Sequence, residues 1–258
     1  MLRADSDLSG VKKKITSFIK EKVEQSQTDG VVFELNGDVN SAVTAYLCIE
    51  ALGTRRVTGL MMPDLRVSAD RDIADAKTVA DELCLETREF DIAPIHKAFM
   101  KNLEGNRLAE DNLRARIRMS LLYYHANLLD RLVAGTGDKS EFLLGYFTKH
   151  GTGGVDILPI ADLYRSEVRK LGEVLGINRR VVAKKGSRRP RAGQVAGVKF
   201  DLDFDTADQI FRLRLGDGLD VEAISSRTGT SRAKVEAVIS RYESSSHKRE
   251  RPEVCLIH

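Results

Sequence analysis

Three short segments of the 258-residue chain combine turn residues with groups that handle phosphate or cations. The first, Asn36-Gly37-Asp38-Val39-Asn40-Ser41, lies between a β-branched run and a helical run. A glycine-containing connection of this kind points backbone N–H groups outward at the positive end of a helix, where they cradle phosphate. Gly37 suits close backbone approach, and Ser41 suits a helix cap or a phosphate donor. Asp38 opposes that use, because a carboxylate repels an anion unless a cation intervenes. The second segment is Gly135-Thr136-Gly137-Asp138-Lys139-Ser140-Glu141. Glu141, one turn into a helix, suits a hard cation such as Mg2+, or simply favours the helix dipole. Residues 145–156 set glycines beside Lys149 and Asp156, as a loop that closes over a polar ligand or as ordinary surface.

The elements around these segments alternate. Val11, Ile15, Phe18, Ile19 and Val23 recur at helical spacing, predicting an amphipathic first helix. Residues 31–35 have the length and composition of a buried strand, and residues 42–52 are helical up to Gly53. Residues 57–62 predict a second strand ended by Pro63. A helix through Ile73, Ala76, Val79, Ala80 and Leu83 leads to a third strand over 87–92. Residues 112–129 predict a long helix with Leu113, Ile117, Leu121 and Leu128 on its apolar side, and residues 132–134 a strand entering the second segment. Strands alternating with helices predict an α/β fold, a parallel sheet flanked by helices on both faces, with a helical C-terminal part. Ligands of such sheets collect outside the carboxyl ends of the strands, which singles out residues 36–41 and 135–141. The single domain divides into an N-terminal helix (1–30), an α/β core (31–178), a basic loop (179–203) and C-terminal helices with a tail (204–258).

Composition narrows the class without naming a chemistry. With 41 Lys+Arg against 38 Asp+Glu the formal charge is +3, and 42% hydrophobic residues are enough for a sizeable core. No apolar run approaches a membrane span, and residues 1–14 lack the apolar core of a signal peptide. Cys48, Cys84 and Cys255 form neither a disulfide framework nor a metal pair, which predicts reduced thiols in a cytoplasmic protein. Residues 179–191 carry seven cations and read as a loop.

Taken together, these segments resemble the ammonia-dependent NAD synthetase family. Leu35–Ala42 is similar to its pyrophosphatase loop, Ser-Gly-Gly-x-Asp-Ser. Residues 115–119 (ARIRM), 135–141, 145–156, 158–164 (LPIADLY), then His247-Lys248-Arg249 and Pro252, occur in the family's order and spacing. The resemblance implies an adenine-nucleotide α-hydrolase-like fold and a ligase forming a C–N bond. ATP adenylates the nicotinate carboxylate of deamido-NAD, and ammonia displaces AMP to give NAD. It implies ATP contacts at Asn36, Gly37, Asp38, Asn40, Ser41, Thr136, Arg165 and Ser187. Arg116, Lys149, Asp156, His247 and Lys248 would contact deamido-NAD. Glu141 would hold Mg2+, with Asn40 and Asp38 as further metal positions. A homodimer is implied, with the deamido-NAD site near the interface; the apolar stripe of residues 112–129 fits either an interface helix or an ordinary core helix. Relatives that use glutamine carry an added amidohydrolase domain, for which this length leaves no room.

The chain departs from the family pattern on the ATP side. Asn36 stands for Ser, Asp38 for the second Gly and Asn40 for the metal-binding Asp. Arg165 stands for a Lys, keeping the cation with a different geometry. Gly186-Ser187-Arg188 stands for Pro-Ser-Ala, and Val195-Ala196-Gly197 for Thr-Asp-Glu. Two alternatives therefore accompany a working synthetase. One is a relative that binds the dinucleotide but has lost or altered catalysis. The other is a nucleic-acid-binding protein, with a helix-turn-helix-like segment at 221–241 and the basic loop as a phosphate patch; the small net charge weighs against it.

Overall fold

The computed structural model describes residues 8–184, 204–255 and 257. Helix α1 (Leu8–Ser26) turns Ile15, Ile19 and Val23 inward at four-residue spacing. Strand β1 (Gly30–Glu34) then feeds α2 (Val39–Leu52), followed by β2 (Val57–Met61), α3 (Asp70–Glu82) and β3 (Glu86–Glu89). Two helices, α4 (Ala93–Met100) and α5 (Arg107–Leu129), precede β4 (Arg131–Val133), and α6 (Lys139–Leu143), α7 (Arg165–Val174) and α8 (Arg179–Val182) come after it. Helices α9 (Phe204–Phe211), α10 (Val221–Thr228) and α11 (Arg232–Ser244) form the C-terminal part. Among these residues no helix is long and apolar enough to cross a membrane.

The four strands are parallel, in the order β3-β2-β1-β4. Val31 lies opposite Val57 on one side and Leu132 on the other. The chain winds outward from β1 to β3, then returns to add β4 beyond β1. The winding direction therefore reverses between β1 and β4, and their carboxyl ends open the crevice where ligands of such sheets bind. Alternation along β1 divides the core: Val31 and Phe33 pack with α1, α2 and α7, whereas Val32 packs with Leu60, Ile117, Leu122 and Val133 under α5. A third cluster joins Leu144 and Tyr164 to Ile210, Phe211, Ile224, Val235, Val238 and Ile239.

Several boundaries differ from the sequence expectation for local reasons. Helix α2 starts at Val39 rather than at 42, because the Asp38 carboxylate accepts a hydrogen bond from the Ser41 N–H at 2.8 Å and caps it. The third strand ends at Glu89 rather than at 92, and the unpredicted α4 follows, with Pro94 in its first turn. Helix α5 starts at Arg107, capped by Asn106. On α5, Leu128 is 58% exposed beside Tyr124 at 63%, so Leu128 does not belong to the buried stripe. The first residues of the expected basic loop form α8, and residues 185–203 lie outside the described residues. The helical pair at 221–241 is present, turning at Gly229. Its apolar residues close the third cluster, and Arg232 pairs with Glu222 and Glu236.

The carboxyl end of β2 is tied to α5 by charge. Asp64 is fully buried; Arg66 donates to it at 2.9 and 2.8 Å and Arg114 at 2.9 Å. Arg118, one turn further along α5, donates to the Met62 carbonyl at 2.8 Å. Burial alone would raise the Asp64 pKa, but the arginine hydrogen bonds outweigh it and hold the carboxyl well below the usual range. A depressed folded pKa contributes stability above the unfolded value near 4, and that stability is lost as pH falls through the folded value. Asp64→Asn is expected to cost about 1–3 kcal/mol at pH 7 in denaturant titrations, since Arg66 is partly exposed to water and Arg114 keeps Asp111. The gap from wild type should narrow as pH falls below about 4.

Candidate active site at the switch point of the sheet

The loop after β1 is shaped by its own side chains. Asn36 Oδ1 accepts from the Asp38 N–H at 3.1 Å and the Ser41 hydroxyl at 2.9 Å. Gly37 adopts φ +77°, and a Cβ there would sit 2.1 Å from the Asp72 carbonyl oxygen, so the loop lies directly on the first turn of α3. Lys184 completes this joint. Its Nζ donates to the Gly37 carbonyl at 3.0 Å and to Asp75 Oδ2 at 2.8 Å, and it pairs with Asp72. Arg180 reaches the other Asp75 oxygen at 2.8 Å. The backbone N–H groups of Asp38 and Ser41, which an incoming phosphate would use, are thus already engaged by Asn36 and Asp38.

The loop after β4 faces this one across the crevice. Asp138, fully buried, caps α6 by accepting from the Glu141 N–H at 2.8 Å. Its second oxygen accepts from Asn40 Nδ2 at 2.9 Å and Arg165 Nε at 2.9 Å. Glu141 Oε1 accepts from Arg165 Nη2 at 2.7 Å, and Oε2 lies 3.4 Å from Asn40 Nδ2. Burial, then the Asp138 charge, push the Glu141 carboxyl upward, while the Arg165 guanidinium opposes them. The Arg165 guanidinium is itself buried and stacks 4.3 Å above the Phe204 ring. Asp208 holds the Ser140 hydroxyl and the Ser166 hydroxyl, the latter at 3.0 Å. Burial raises the Asp208 carboxyl to about 6 against those donors.

The donor set suits Mg2+. Asp38, Asp138 and Glu141 place three carboxylates near one guanidinium, a surplus of negative charge. Asn40 is 1% exposed, and its Oδ1 has no hydrogen-bond partner. Among the described residues, no three His, Cys, Asp or Glu side chains form a dedicated metal cage. Mg2+ does not need one, since it takes one or two carboxylates and completes its shell with water and phosphate oxygens.

A second group gathers on the loop after α6. Arg116 Nε donates to the Lys149 carbonyl at 3.3 Å, and Lys149 Nζ to the His247 carbonyl at 2.8 Å. Lys248 Nζ donates to the Gly145 and Phe147 carbonyls, both at 2.9 Å. Burial and then Arg241 lower the Lys248 ammonium to about 8. Gly145, at φ +61°, would place a Cβ 2.3 Å from Ser245 Cβ, so this loop and the start of the C-terminal tail are in direct contact. Asp156 sits at the end of β4, accepting from the Tyr123 hydroxyl at 2.9 Å and the Val133 N–H at 2.7 Å.

Asn36, Asp38, Asn40, Ser41, Glu141 and Arg165 thus form one group, with Gly37 at the joint to α3. Arg116, Lys149, His247 and Lys248 form another. Thr136 lies in the loop that enters α6, and Ser187 lies outside the described residues. The sequence reading missed the structural parts of Asp138, Lys184 and Asp208, whose partners are distant in the chain; only the Asx cap at Asp138, three residues before Glu141, had a local signal. Lys184→Met should speed amide hydrogen exchange across residues 37–41 and cost about 1–3 kcal/mol, the worth of hydrogen bonds to charged groups. Unchanged exchange would show that the loop holds itself.

A model of the NAD synthase family matches residues 11–252. The NH3-dependent NAD+ synthetase of Archaeoglobus fulgidus is 43% identical over 249 residues, 96% of each chain. That of Methanosarcina mazei is 40% identical over 252 residues, 96% of this chain and 98% of its own. Among solved structures, the NH3-dependent NAD synthetase from Campylobacter jejuni superposes with TM-score 0.82 at 31% identity, covering 97% of this chain and 100% of its own. NMN synthetase from Francisella tularensis gives TM-score 0.82 at 26% identity, covering 97% and 99%. With the crevice between β1 and β4 lined as described, the chain belongs to the NAD synthase family.

Proposed function

We infer that the chain is an ammonia-dependent NAD synthetase, forming the amide of NAD from deamido-NAD, ATP and ammonia. The observation that carries this reading is the pair of residue groups at one end of the sheet. One group suits a metal-bound triphosphate, and the other presents cations suited to a dinucleotide phosphate. In the first half-reaction a nicotinate carboxylate oxygen attacks the α-phosphorus of ATP, and pyrophosphate leaves with the bonding pair. In the second, the ammonia nitrogen attacks the resulting acyl carbon, AMP leaves, and the nitrogen loses a proton. Arg165, held by Asp138 and Glu141, supplies positive potential where phosphate charge develops, and the α2 N-terminus adds to it once the Asp38 carboxylate swings off the Ser41 N–H. Arg116 and Lys149 hold the dinucleotide so that attack is effectively intramolecular. Mg2+, held by Glu141 with the Asn40 amide oxygen, would neutralise phosphate charge on the leaving pyrophosphate. Tyr124 and Leu128, exposed on α5, support pairing with a second copy along that helix.

Purified protein with ATP, Mg2+, deamido-NAD and ammonium should yield NAD, AMP and pyrophosphate in equal amounts. Glutamine in place of ammonium should yield none. Nicotinate mononucleotide in place of deamido-NAD tests an amidation that would yield NMN, and faster turnover with it would move the assignment to that activity. No AMP with either acceptor would overturn the synthetase reading.

The self-capped loop generates a second expectation. Asp38→Gly removes the carboxylate that occupies the Ser41 N–H, at a cost of only a few tenths of a kcal/mol in helix capping. The KM for ATP should fall while the KM for deamido-NAD stays fixed. A rise in the KM for ATP would show that Asp38 serves the nucleotide rather than competing with it.

A further inference from the structure

Asn40 differs from the other polar residues of the crevice in having one half of its amide fully engaged and the other half unpartnered. Its Nδ2 donates to Asp138 Oδ2 at 2.9 Å and lies 3.4 Å from Glu141 Oε2. Its Oδ1 is buried without a partner, on a residue 1% exposed. The orientation follows from chemistry. Carboxylate oxygens accept and cannot donate, so the amide must turn its nitrogen to Asp138 and its oxygen away. A buried, unpaired carbonyl oxygen costs free energy unless something binds it. In a cleft with surplus negative charge, the natural partner of an amide oxygen is a hard cation. Asp138 has no comparable vacancy, because its two oxygens already accept from the Glu141 N–H, Asn40 and Arg165.

We propose that Asp138 is a positioning residue that fixes the Asn40 amide so that Oδ1 is a ligand of the Mg2+ that accompanies ATP. A neutral residue at position 40 thereby remains a metal ligand, and the negative charge sits one bond further back, on Asp138. This rests on the reading of the crevice as the Mg2+-ATP site. Asp138→Asn should undo the arrangement while keeping the cap, since Asn caps helices as well as Asp. With its oxygen held on the Glu141 N–H, the new amide would present nitrogen toward residue 40 and toward Arg165 Nε, which loses that acceptor and keeps Glu141. Asn40 would then turn its own oxygen to that donor and its nitrogen into the metal position.

The test uses the full chain, with ATP affinity measured calorimetrically against Mg2+, Mn2+ or Cd2+. Asp138→Asn should weaken the metal-dependent part of ATP binding roughly 10- to 100-fold, as loss of an orienting partner does, with metal-free ATP binding retained. Asn40→Cys should lose the response to Mg2+ and gain one to Cd2+, a softer ion that favours thiolate. It should also show a cadmium–thiolate absorption band absent from the wild type, whose own three cysteines serve as the control. A thiolate has one ligating atom and no orientation to set. In the Asn40→Cys background, Asp138→Asn should therefore leave Cd2+ affinity unchanged. An equal penalty in both backgrounds would show that Asp138 acts through its charge, and overturns the proposal. So does Asp138→Asn binding Mg2+-ATP as the wild type does, or Asn40→Cys lacking the thiolate band. If Asp138→Asn fails to fold, Asn40→Cys still decides whether residue 40 ligates. A wild type that binds no ATP overturns the ATP-site reading together with the proposal, whereas normal Mg2+-ATP binding with unresponsive variants overturns the proposal alone.

Discussion

The Arg165 guanidinium, buried between Asp138 and Glu141, is the constraint on which the carboxyl end of the sheet depends. Helix α6 has five residues, too few to fix the direction of Glu141 by its own hydrogen bonds. What fixes it is the set of long-range contacts around it: Arg165 from α7, Asn40 from α2, and Asp208 from α9 through Ser140. Breaking such a cluster by removing one member leaves an uncompensated buried charge, whereas the intact cluster contributes little net stability. Its value lies in specificity. Three helices from distant parts of the chain are brought into one register against the crevice, with Arg165 also stacked on Phe204.

A different arrangement holds the second group. Lys149 and Lys248 spend ammonium hydrogens on backbone carbonyls of the 145–149 loop and the tail, so the cations are placed by the main chain rather than by carboxylate partners. Positive charge held this way is not neutralised by a counter-ion, and it remains available to an anionic ligand. Contact between Gly145 and Ser245 sets how closely tail and loop approach. The residues after α11 therefore pack directly on the 145–149 loop.

How much of this was legible beforehand depends on range. The four strands and their parallel sense follow from run length and the alternation of strands with helices, whereas the order β3-β2-β1-β4 does not. The two loops follow from lying at the carboxyl ends of strands. The start of α2 was misplaced by three residues because the cap is Asp38, read in the sequence as an intruder in a phosphate loop. Helix α4 was missed because Phe90 and Ile92 continue a strand-like alternation until Pro94 changes the backbone. Lys184, Asp75 and Asp208 could not have been assigned, since each acts on a partner more than forty residues away or buried by tertiary packing alone. The Asn40 substitution looked like the loss of a metal ligand. Whether an amide can stand in for a carboxylate depends on which of its ends is free, and that is decided by a neighbour ninety-eight residues away.

Asp38 shows why departures from a family pattern are poorly read one position at a time. At the N-terminus of α2 its carboxylate lies where a phosphate would, accepting the Ser41 N–H at 2.8 Å. Helix termini stabilise either anion by the same physics. The fold therefore loses nothing by the exchange of Gly for Asp, and α2 gains a cap. On the proposed reading the cost falls on the nucleotide, which displaces an anion tethered at high local concentration. Lys184 holds Gly37 against the first turn of α3, and the Asp38 side chain beside it is half-buried. An aspartate here thus contributes a cap worth a few tenths of a kcal/mol over glycine, while the proposed nucleotide competes with it for the same N–H.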